Sequence, residues 1–219
     1  MKASSLPVFP LGIVSLPGTI QNLQIFEPRY VTMVKECMKN NKGFVMVYQK
    51  NESNKDFEIS KKGSYVEIID FNSLPNGLLG ITVKCMNKVL IGNLVQLEDG
   101  LNIGEIEAVT DPEVDDQALL AEFPEISNIL SQIIKHPSIS EMPINIDFNS
   151  ADSVAYHLAG LIPIPSKSKQ NLLEAFDASQ RFAILSKYID EITPSGLYLS
   201  KNSILLHSYL FVISKDVSS

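Results

Sequence analysis

The sequence contains few of the residues that catalytic, metal-binding or nucleic-acid-binding proteins commonly use. Tryptophan is absent, and the 219 residues include two cysteines and three histidines. The only arginines are Arg29 and Arg181, and the formal net charge is −7. Because nucleic-acid binding draws affinity from phosphate neutralisation and specificity from arginine forks, this composition argues against a nucleic-acid partner.

The two cysteines, Cys37 and Cys85, lie far apart and outside any CxxC or Cys/His motif. Each falls on the apolar face of its own element, so we predict buried reduced thiols rather than a disulfide or a nucleophile. The acidic segment 111–116 lacks the alternating oxygen ligands and the turn glycine of an EF-hand. We interpret it as a solvated linker, and we expect no metal and no cofactor.

Long apolar runs are also missing. No stretch reaches the roughly 20 apolar residues that a membrane helix needs. The apolar N-terminal segment is interrupted by prolines and preceded only by Lys2, unlike a secretory signal. With 45% hydrophobic residues the chain still has enough apolar side chains for a core. We therefore expect a soluble cytoplasmic protein without a membrane partner.

Residues 1–110 have the pattern of short β-strands. Leu79, Ile81, Val83 and Cys85 alternate with small or polar residues, which is typical of a half-buried strand. Tyr65, Ile69 and Phe71 are predicted to share one strand face, and a change of parity at Gly104 predicts a β-bulge there. Short turns between neighbouring strands predict antiparallel pairing, a meander that closes toward a barrel.

The pattern becomes helical after residue 111. Asn149-Ser150 is predicted to cap one helix, and Ser166 or Ser168 is predicted to cap a later one. A last helix places four apolar residues on one stripe: Phe182, Leu185, Ile189 and Ile192. The expected fold class is α+β, with a β-rich lobe at 1–110, an all-helical lobe at 111–192 and an apolar C-terminal extension at 193–219.

Residues 204–213 of that extension are unusually apolar for a terminus. They are too short to span a bilayer, so an added strand that packs on the body is the first interpretation. A strand exchanged between two copies, giving a homodimer through the C-terminal tail, is the alternative.

Several segments resemble the Lon protease N-terminal domain family. The most specific is Ile25-Phe26-Glu27-Pro28-Arg29-Tyr30. The others are Leu6-Pro7-Val8-Phe9-Pro10-Leu11-Gly12, Leu16-Pro17-Gly18, Gly77-Leu78-Leu79-Gly80-Ile81, Asp152-Ser153-Val154-Ala155 and Lys169-Gln170-Asn171-Leu172-Leu173-Glu174. The resemblance covers about residues 6–190. Small bacterial proteins that consist of this domain alone also belong to the family, and this chain resembles one of them.

The resemblance implies a PUA-like β-barrel lobe followed by a helical bundle. In the full-length proteases this domain precedes an ATPase and a protease domain, and it helps to capture substrates. The sequence has no Walker GxxxxGK[ST] loop. We therefore expect a non-catalytic, proteolysis-related module that binds unfolded or apolar polypeptide segments, with a protease or chaperone as a further partner.

The family signature is interpreted as structural. It comprises Phe9, Pro10, Leu11, Gly12, Pro17, Gly18, Phe26, Glu27, Pro28, Arg29 and Tyr30. Pro28 suits the first helical position, Glu27 favours the positive helix start, and Arg29 is expected to tie a loop to the lobe. The functional alternative makes Glu27 and Arg29 charges that bind a partner.

Apolar residues near predicted strand ends and loops are the candidate peptide-binding residues. They are Leu23, Ile25, Phe26, Phe71, Leu74 and Leu78. Core packing is the default role for most of them. We hypothesise that some line an apolar peptide groove, with sheet-edge hydrogen bonds adding affinity.

Two other function classes stay open. One is an RNA-binding module, because PUA-like barrels often bind RNA; the acidic charge argues against it. The other is a small hydrolase built on Asp152, Ser153 and His157, which are close in sequence. Because no strained nucleophile turn accompanies them, helix capping by Asp152 or Ser153 is the favoured interpretation.

Overall fold

The computed structural model describes residues 4–50 and 58–192, with the side chains of residues 190–192 excluded. The chain divides into two compact units, Met1–Thr110 and Asp111–Ser219. The apolar segment 204–213 lies outside the described residues. Among those that are described, no helix is long and apolar enough to cross a bilayer.

The described part of the first unit contains six strands and one helix. In chain order they are β1 (Ser4–Leu11), β2 (Ile20–Ile25), α1 (Pro28–Lys39), β3 (Phe44–Tyr48), β4 (Lys62–Ser73), β5 (Leu79–Gln96) and β6 (Asn102–Ala108). The strand order is β2-β5-β4-β3-β1-β6, and β6 also pairs with β5. The hydrogen-bonded pairings therefore return to β5.

The sheet is mixed, so the prediction of a purely antiparallel sheet was wrong at one pair. Strands β4, β5 and β6 form the predicted antiparallel meander. Strand β1, however, pairs with β3 in parallel, with Val8 opposite Val45. Parallel neighbours require a crossover connection, and here β2 and α1 lie between the two strands in sequence. Short turns imply antiparallel pairing only between strands that follow each other directly, so they give no information about β1 and β3.

Strands β1 and β3 are buried on both faces. Phe9, Phe44 and Met46 belong to the cluster that also contains the buried side of α1. Val8 and Val45, which alternate with them, belong to a second cluster. A strand buried on both faces is a continuous apolar run rather than an alternating one, which explains the apolar sequence of β3.

Bulges overturn two predictions of strand faces. Register shifts in the β4–β5 pair fall between Tyr65 and Val66 and between Ile68 and Asp70. The first shift has its extra residue, Met86, on β5 and leaves the faces of β4 unchanged, whereas the second has its extra residue, Ile69, on β4. The second shift therefore reverses the faces of β4, so Phe71 shares a face with Ile68 and not with Tyr65.

The predicted bulge at Gly104 is also wrong in position. The shift between β5 and β6 lies on β5, between Ile91 and Leu94. In β6 itself, Asn102, Gly104 and Ile106 are buried in regular alternation. Because the inward-facing Asn102 is polar, the apolar pattern alone gave a false change of parity.

In its described part, the regular secondary structure of the second unit consists of helices. Its helices are α2 (Asp116–Glu122), α3 (Pro124–Ile133), α4 (Pro137–Ser140), α5 (Ala151–Leu161), α6 (Ser166–Glu174) and α7 (Ala178–Ile192). Of the predicted pair Asn149-Ser150, it is Ser150 that caps α5, its hydroxyl accepting from Ser153 N–H. Helix α6 has Pro165 at its N-cap and no side-chain cap, so the predicted caps Ser166 and Ser168 are wrong.

Candidate functional site

The most specific sequence motif, residues 25–30, connects the start of α1 to the hairpin formed by β5 and β6. Pro28 occupies the first turn of α1, and Glu27 is its N-cap residue without a side-chain cap bond. Instead, Glu27 Oε2 pairs with Arg29 Nη2 at 2.5 Å, and Arg29 Nη1 donates to the Gly100 carbonyl at 3.0 Å. These contacts tie the β5–β6 turn to α1.

Aromatic packing continues the same motif into the core. The guanidinium of Arg29 lies 4.9 Å from the centroid of the Tyr30 ring. The Tyr30 ring is 4.0 Å from that of Phe9. Pro10 and Leu11 follow Phe9 along β1, in register with Val47 and Tyr48 of β3.

The segment Leu16-Pro17-Gly18 forms the turn that leads into β2. Gly18 has a φ of 81°, a left-handed conformation that favours glycine. Its N–H donates to the Cys85 carbonyl, and Cys85 N–H donates to the Thr19 carbonyl, both at 2.9 Å. The turn therefore fixes the register of β2 on β5.

Leu23 and Phe71 come together on one face of the sheet. Leu23 of β2 and Phe71 of β4 both stand opposite Ile81 of β5. Since directly paired residues point to the same face, the three side chains form an apolar row across neighbouring strands. Ile81 is buried, Leu23 is half-buried and Phe71 is 56% exposed. The row thus extends the core cluster toward solvent.

Ile25 and Phe26 are neighbours in sequence with opposite environments. Ile25 ends β2 with 2% of its surface exposed, inside the core cluster. Its side chain is therefore not accessible to a peptide in this conformation. Phe26 lies between β2 and α1 and is 67% exposed, so it is accessible.

Leu74 and Leu78 bracket the turn between β4 and β5. Leu74 N–H donates to the Leu78 carbonyl at 2.9 Å. A Cβ placed on Gly80 would meet Leu74 Cδ2 at 3.0 Å. Because Gly80 is adjacent to Ile81 and faces the opposite way, Leu74 lies on the other face from Phe71. The structure therefore does not bring all six candidates onto one surface.

Ile69 is an exposed apolar residue that sequence reasoning did not include among the candidates. It lies within the bulged part of β4 and is exposed. The only sequence signal was an apolar residue next to Ile68 and close to Phe71. The bulge that exposes it was not apparent from the alternation.

The residues considered for hydrolysis have structural roles. His157 is buried, and its Nδ1 is 2.7 Å from the Ser153 carbonyl oxygen and 3.4 Å from Ser153 Oγ. Asp152 is engaged by Arg181 instead. The predicted capping by Asp152 or Ser153 is also wrong, because Ser150 provides the cap and the other two lie in the first turn.

Arg181 is the centre of a buried ionic network in the helical unit. Its Nη2 lies 2.8 Å from Asp111 Oδ2 and 2.5 Å from Asp152 Oδ1. Its guanidinium is also 4.8 Å from the Tyr156 ring centroid. Burial alone lowers the pKa of the guanidinium, but the neighbouring Tyr156 and Asp152 and the Asp111 carboxylate raise it overall, so the cation is retained.

The acidic segment has structural roles too. Asp115 Oδ1 caps α2 by accepting from Ala118 N–H at 3.0 Å. Asp116 Oδ1 accepts from Ala151 N–H at 3.1 Å. Asp111 pairs with Arg181. Within residues 4–50 and 58–192, no group of three or more His, Cys, Asp or Glu residues has the arrangement of a metal site.

Charge is divided unevenly between the units. Residues 1–110 carry eleven basic and eleven acidic side chains, whereas residues 111–219 carry seven basic and fourteen acidic ones. The net charge of −7 therefore belongs to the second unit. The β unit, which holds the apolar row, has no net charge to attract a polyanion.

The sequence profile of the family described as the ATP-dependent protease La (LON) substrate-binding domain matches residues 5–191. Lon protease 1 of Bacillus subtilis is 27% identical over 199 residues, covering 86% of this chain and 25% of that protein. Lon protease of Heliobacterium modesticaldum is 24% identical over 196 residues, covering 84% and 23%. The chain spans about a quarter of these relatives.

Two solved structures share the fold. The crystal structure of a Lon N-terminal domain protein from Xanthomonas campestris has a TM-score of 0.63 at 24% identity, covering 84% of this chain and 98% of that one. The N-terminal domain of a Mycobacterium avium complex Lon protease has a TM-score of 0.66 at 14% identity, covering 86% and 100%.

Proposed function

The chain belongs to the family of LON substrate-binding domains, and on that basis we propose that it binds non-native polypeptide without transforming it. The observation that supports a binding surface is the row of Leu23, Ile81 and Phe71, which leads from the core to an exposed aromatic ring. Phe26, also exposed, lies next to Ile25 at the end of the same strand. Exposed apolar side chains of this kind lose contact with water when an apolar segment covers them.

The binding residues we propose are Leu23 and Phe71 on this face and Phe26 beyond the end of β2. Leu74 and Leu78 at the β4–β5 turn are also proposed, with Leu74 on the opposite face of the sheet. Ile25 supports them from the core. An unfolded segment would bind by apolar burial, because the unit carries no net charge. A protease or chaperone that handles such segments is the further partner we propose.

We also assign the β unit to the PUA-like barrel type implied by the family resemblance. The ring of pairings from β5 through β4, β3, β1 and β6 back to β5 supports this assignment. Closure of that ring leaves β2 outside it, paired with the first half of β5.

The function is tested by titrating the protein with a reduced, alkylated and therefore permanently unfolded polypeptide. We expect saturable binding, weakened about tenfold by Phe71→Ser or Phe26→Ser. Loss of one large apolar contact of about 1.5–3 kcal/mol is of that order. Val95→Ser and Leu97→Ser are matched controls, since Val95 and Leu97 are 53% and 46% exposed in the same unit.

Three results would each count against one part of the proposal. If the unchanged protein does not bind the unfolded polypeptide, the function is wrong. If it binds but the four variants all behave alike, the function stands and the binding surface lies elsewhere. Hydrolysis of the polypeptide during the titration would contradict the non-catalytic assignment.

A cytoplasmic location is proposed on the cysteine chemistry. Cys37 and Cys85 are both free and buried, and unpaired thiols are typical of reducing compartments. Fractionation of cells that express the tagged protein would test the assignment. Recovery outside the cytoplasmic fraction would contradict it.

Dimerisation through residues 204–213 is a proposal from sequence alone, since that segment lies outside the described residues. Its apolar, β-branched and aromatic composition suits an exchanged strand. Light scattering of the full chain and of a chain that lacks residues 200–219 would test it. An unchanged oligomeric state would rule out the exchange.

A further inference from the structure

The outer edge of β2 is unpaired among the described strands. Strand β2 ends the strand order and pairs only with β5. Cys85 of β5 directs both its N–H and its carbonyl toward the chain entering β2. Backbone N–H and carbonyl groups alternate in direction along a strand. The backbone groups of Val83 and Ile81 therefore also point toward β2.

This alternation decides which groups of β2 face outward. Gln21 and Leu23 stand opposite Val83 and Ile81, so their backbone groups bond to β5. The backbone N–H and carbonyl groups of Asn22 and Gln24 consequently point away from the sheet. The Asn22 carbonyl accepts a bond of 3.3 Å from the Gln21 side-chain amide, as expected for an outward carbonyl.

The other backbone groups on this edge are available for pairing. Within the described part of the chain, neither the Asn22 N–H nor the N–H and carbonyl of Gln24 has a hydrogen-bond partner. Both side chains are at least partly exposed. An unpaired edge of this kind is a template for an additional strand.

A second unpaired edge in the same unit is protected. Pairing of β3 with β4 ends at Val66, so none of the described strands pairs with residues 67–73 of β4 on that side. There the bulge at Ile69 distorts the strand, and Asp70 Oδ1 accepts from the outward N–H of Phe71 at 2.9 Å. Bulges and edge charges are devices that prevent strand addition.

Strand β2 has none of these devices. Its sequence, Ile-Gln-Asn-Leu-Gln-Ile, contains no charge and no proline, and its register on β5 is continuous from Ile20 to Ile25. Its two faces differ. Leu23 lies on the apolar face with Ile81 and Phe71, whereas Asn22 lies on the opposite face, where its Oδ1 accepts from the Thr82 hydroxyl at 2.9 Å.

We propose that this edge of β2 binds an extended segment of a non-native polypeptide as an added strand. The inference rests on the proposed function and names its substrate class. The segment is uncharged, about six residues long to match β2, and has free backbone amides at alternate positions. Its apolar side chains lie beside Leu23 on the face that carries Phe71, and its polar side chains lie beside Asn22 and Gln24.

The first test uses the unchanged full chain and a series of peptides. The parent peptide alternates valine and threonine over eight residues, with a lysine at each end, and each variant carries one N-methyl group. N-methylation removes one amide donor and leaves the side chains in place. We expect binding to weaken about tenfold at every second central position and to change less than twofold at the positions between.

The second test uses two proline variants. Asn22→Pro removes an outward N–H of β2 without removing a bond to β5, and should weaken peptide binding at least tenfold. Ser73→Pro removes an outward N–H on the protected edge of β4 and should leave the affinity within twofold. Circular dichroism melting shows whether each variant folds. If Asn22→Pro does not fold, the N-methyl series decides alone.

The outcomes separate this inference from the proposed function. If the unfolded polypeptide binds but N-methylation has no two-residue period, or a folded Asn22→Pro binds normally, strand addition is wrong and the function stands. If the unchanged chain binds neither the unfolded polypeptide nor the parent peptide, both fail. A dimer that Asn22→Pro converts to a monomer would mean that a second copy occupies the edge, which also overturns the inference.

Discussion

Arg29 and Gly100, 71 residues apart in the chain, are joined by a hydrogen bond of 3.0 Å from Nη1 to the carbonyl oxygen. The same guanidinium pairs with Glu27, so one side chain connects the start of α1 to the β5–β6 turn. The motif that is most specific to the family therefore serves the fold. In this structure Arg29 is committed to contacts within its own unit.

Substitution of Gly100 tests how much the hydrogen bond between Arg29 and the Gly100 carbonyl stabilises the fold. Gly100 has a φ of +85°, and a Cβ there would lie 2.7 Å from Arg29 Nη1. Gly77 has a φ of +79° with nothing within 4 Å. Gly77→Ala should therefore lower the free energy of unfolding by about 1 kcal/mol from backbone strain, and Gly100→Ala by about 2–3 kcal/mol because it also disturbs a charged hydrogen bond.

A double variant, studied by urea unfolding, separates the cost of backbone strain at Gly100 from the cost of disturbing the Arg29 hydrogen bond. In an Arg29→Ala background, Gly100→Ala should cost about as much as Gly77→Ala does. If Gly100→Ala costs the same with and without Arg29, the guanidinium contact contributes nothing to the folded state.

The Arg181 network predicts a large loss of stability in the helical unit. Arg181→Met leaves Asp111 and the partly buried Asp152 without their cation. Breaking a buried ionic network by removing one partner costs about 3–5 kcal/mol. Lys187→Met is the control, because Lys187 is exposed on the same helix, and it should change the free energy of unfolding by less than about 0.5 kcal/mol. Equal effects in thermal or chemical unfolding would contradict the assigned role.

The thiols are expected to be unreactive in the folded protein. Burial raises the pKa of Cys37 to about 11 and that of Cys85 to about 12. Since the thiolate is the reactive form, an aromatic disulfide reagent at pH 8 should modify neither residue. After unfolding in guanidinium it should modify both. Rapid reaction of one thiol in the folded chain would show that its side chain is accessible.

We expect the titration of Lys169 to make the free energy of unfolding depend on pH. Its side chain is half-buried, and burial lowers its pKa to about 8 from the ordinary 10.5. Between these values the unfolded chain binds more protons than the folded one, so the free energy of unfolding rises with pH in that window through this group. Lys169→Met should remove this contribution, whereas Lys167→Met, at an exposed site, should retain it. Identical pH profiles of the two variants from pH 7 to 10 would contradict the prediction.

Local chemistry was the part of this protein that could be predicted residue by residue. Pro28 opens a helix because its ring fixes φ and it needs no amide donor there, and Ser150 caps α5 because its hydroxyl satisfies a free N–H. The alternation of Ile81, Val83 and Cys85 identifies a strand with one face in the core. The family resemblance, carried by residues 25–30, is a further result of sequence alone.

Tertiary structure decided what depends on neighbours distant in the chain. Three features depend on how strands pair with one another, which no single strand determines. They are the parallel pairing of β1 with β3, the bulge that exposes Ile69, and the location of Leu74 on the other face of the sheet from Phe71. Likewise, Ile25 and Phe26 are both apolar, and only packing against α1 and β5 determines that one is buried and the other accessible. Sequence determined which segments form strands and helices, whereas the order of the described strands is what leaves the outer edge of β2 without a pairing partner among them.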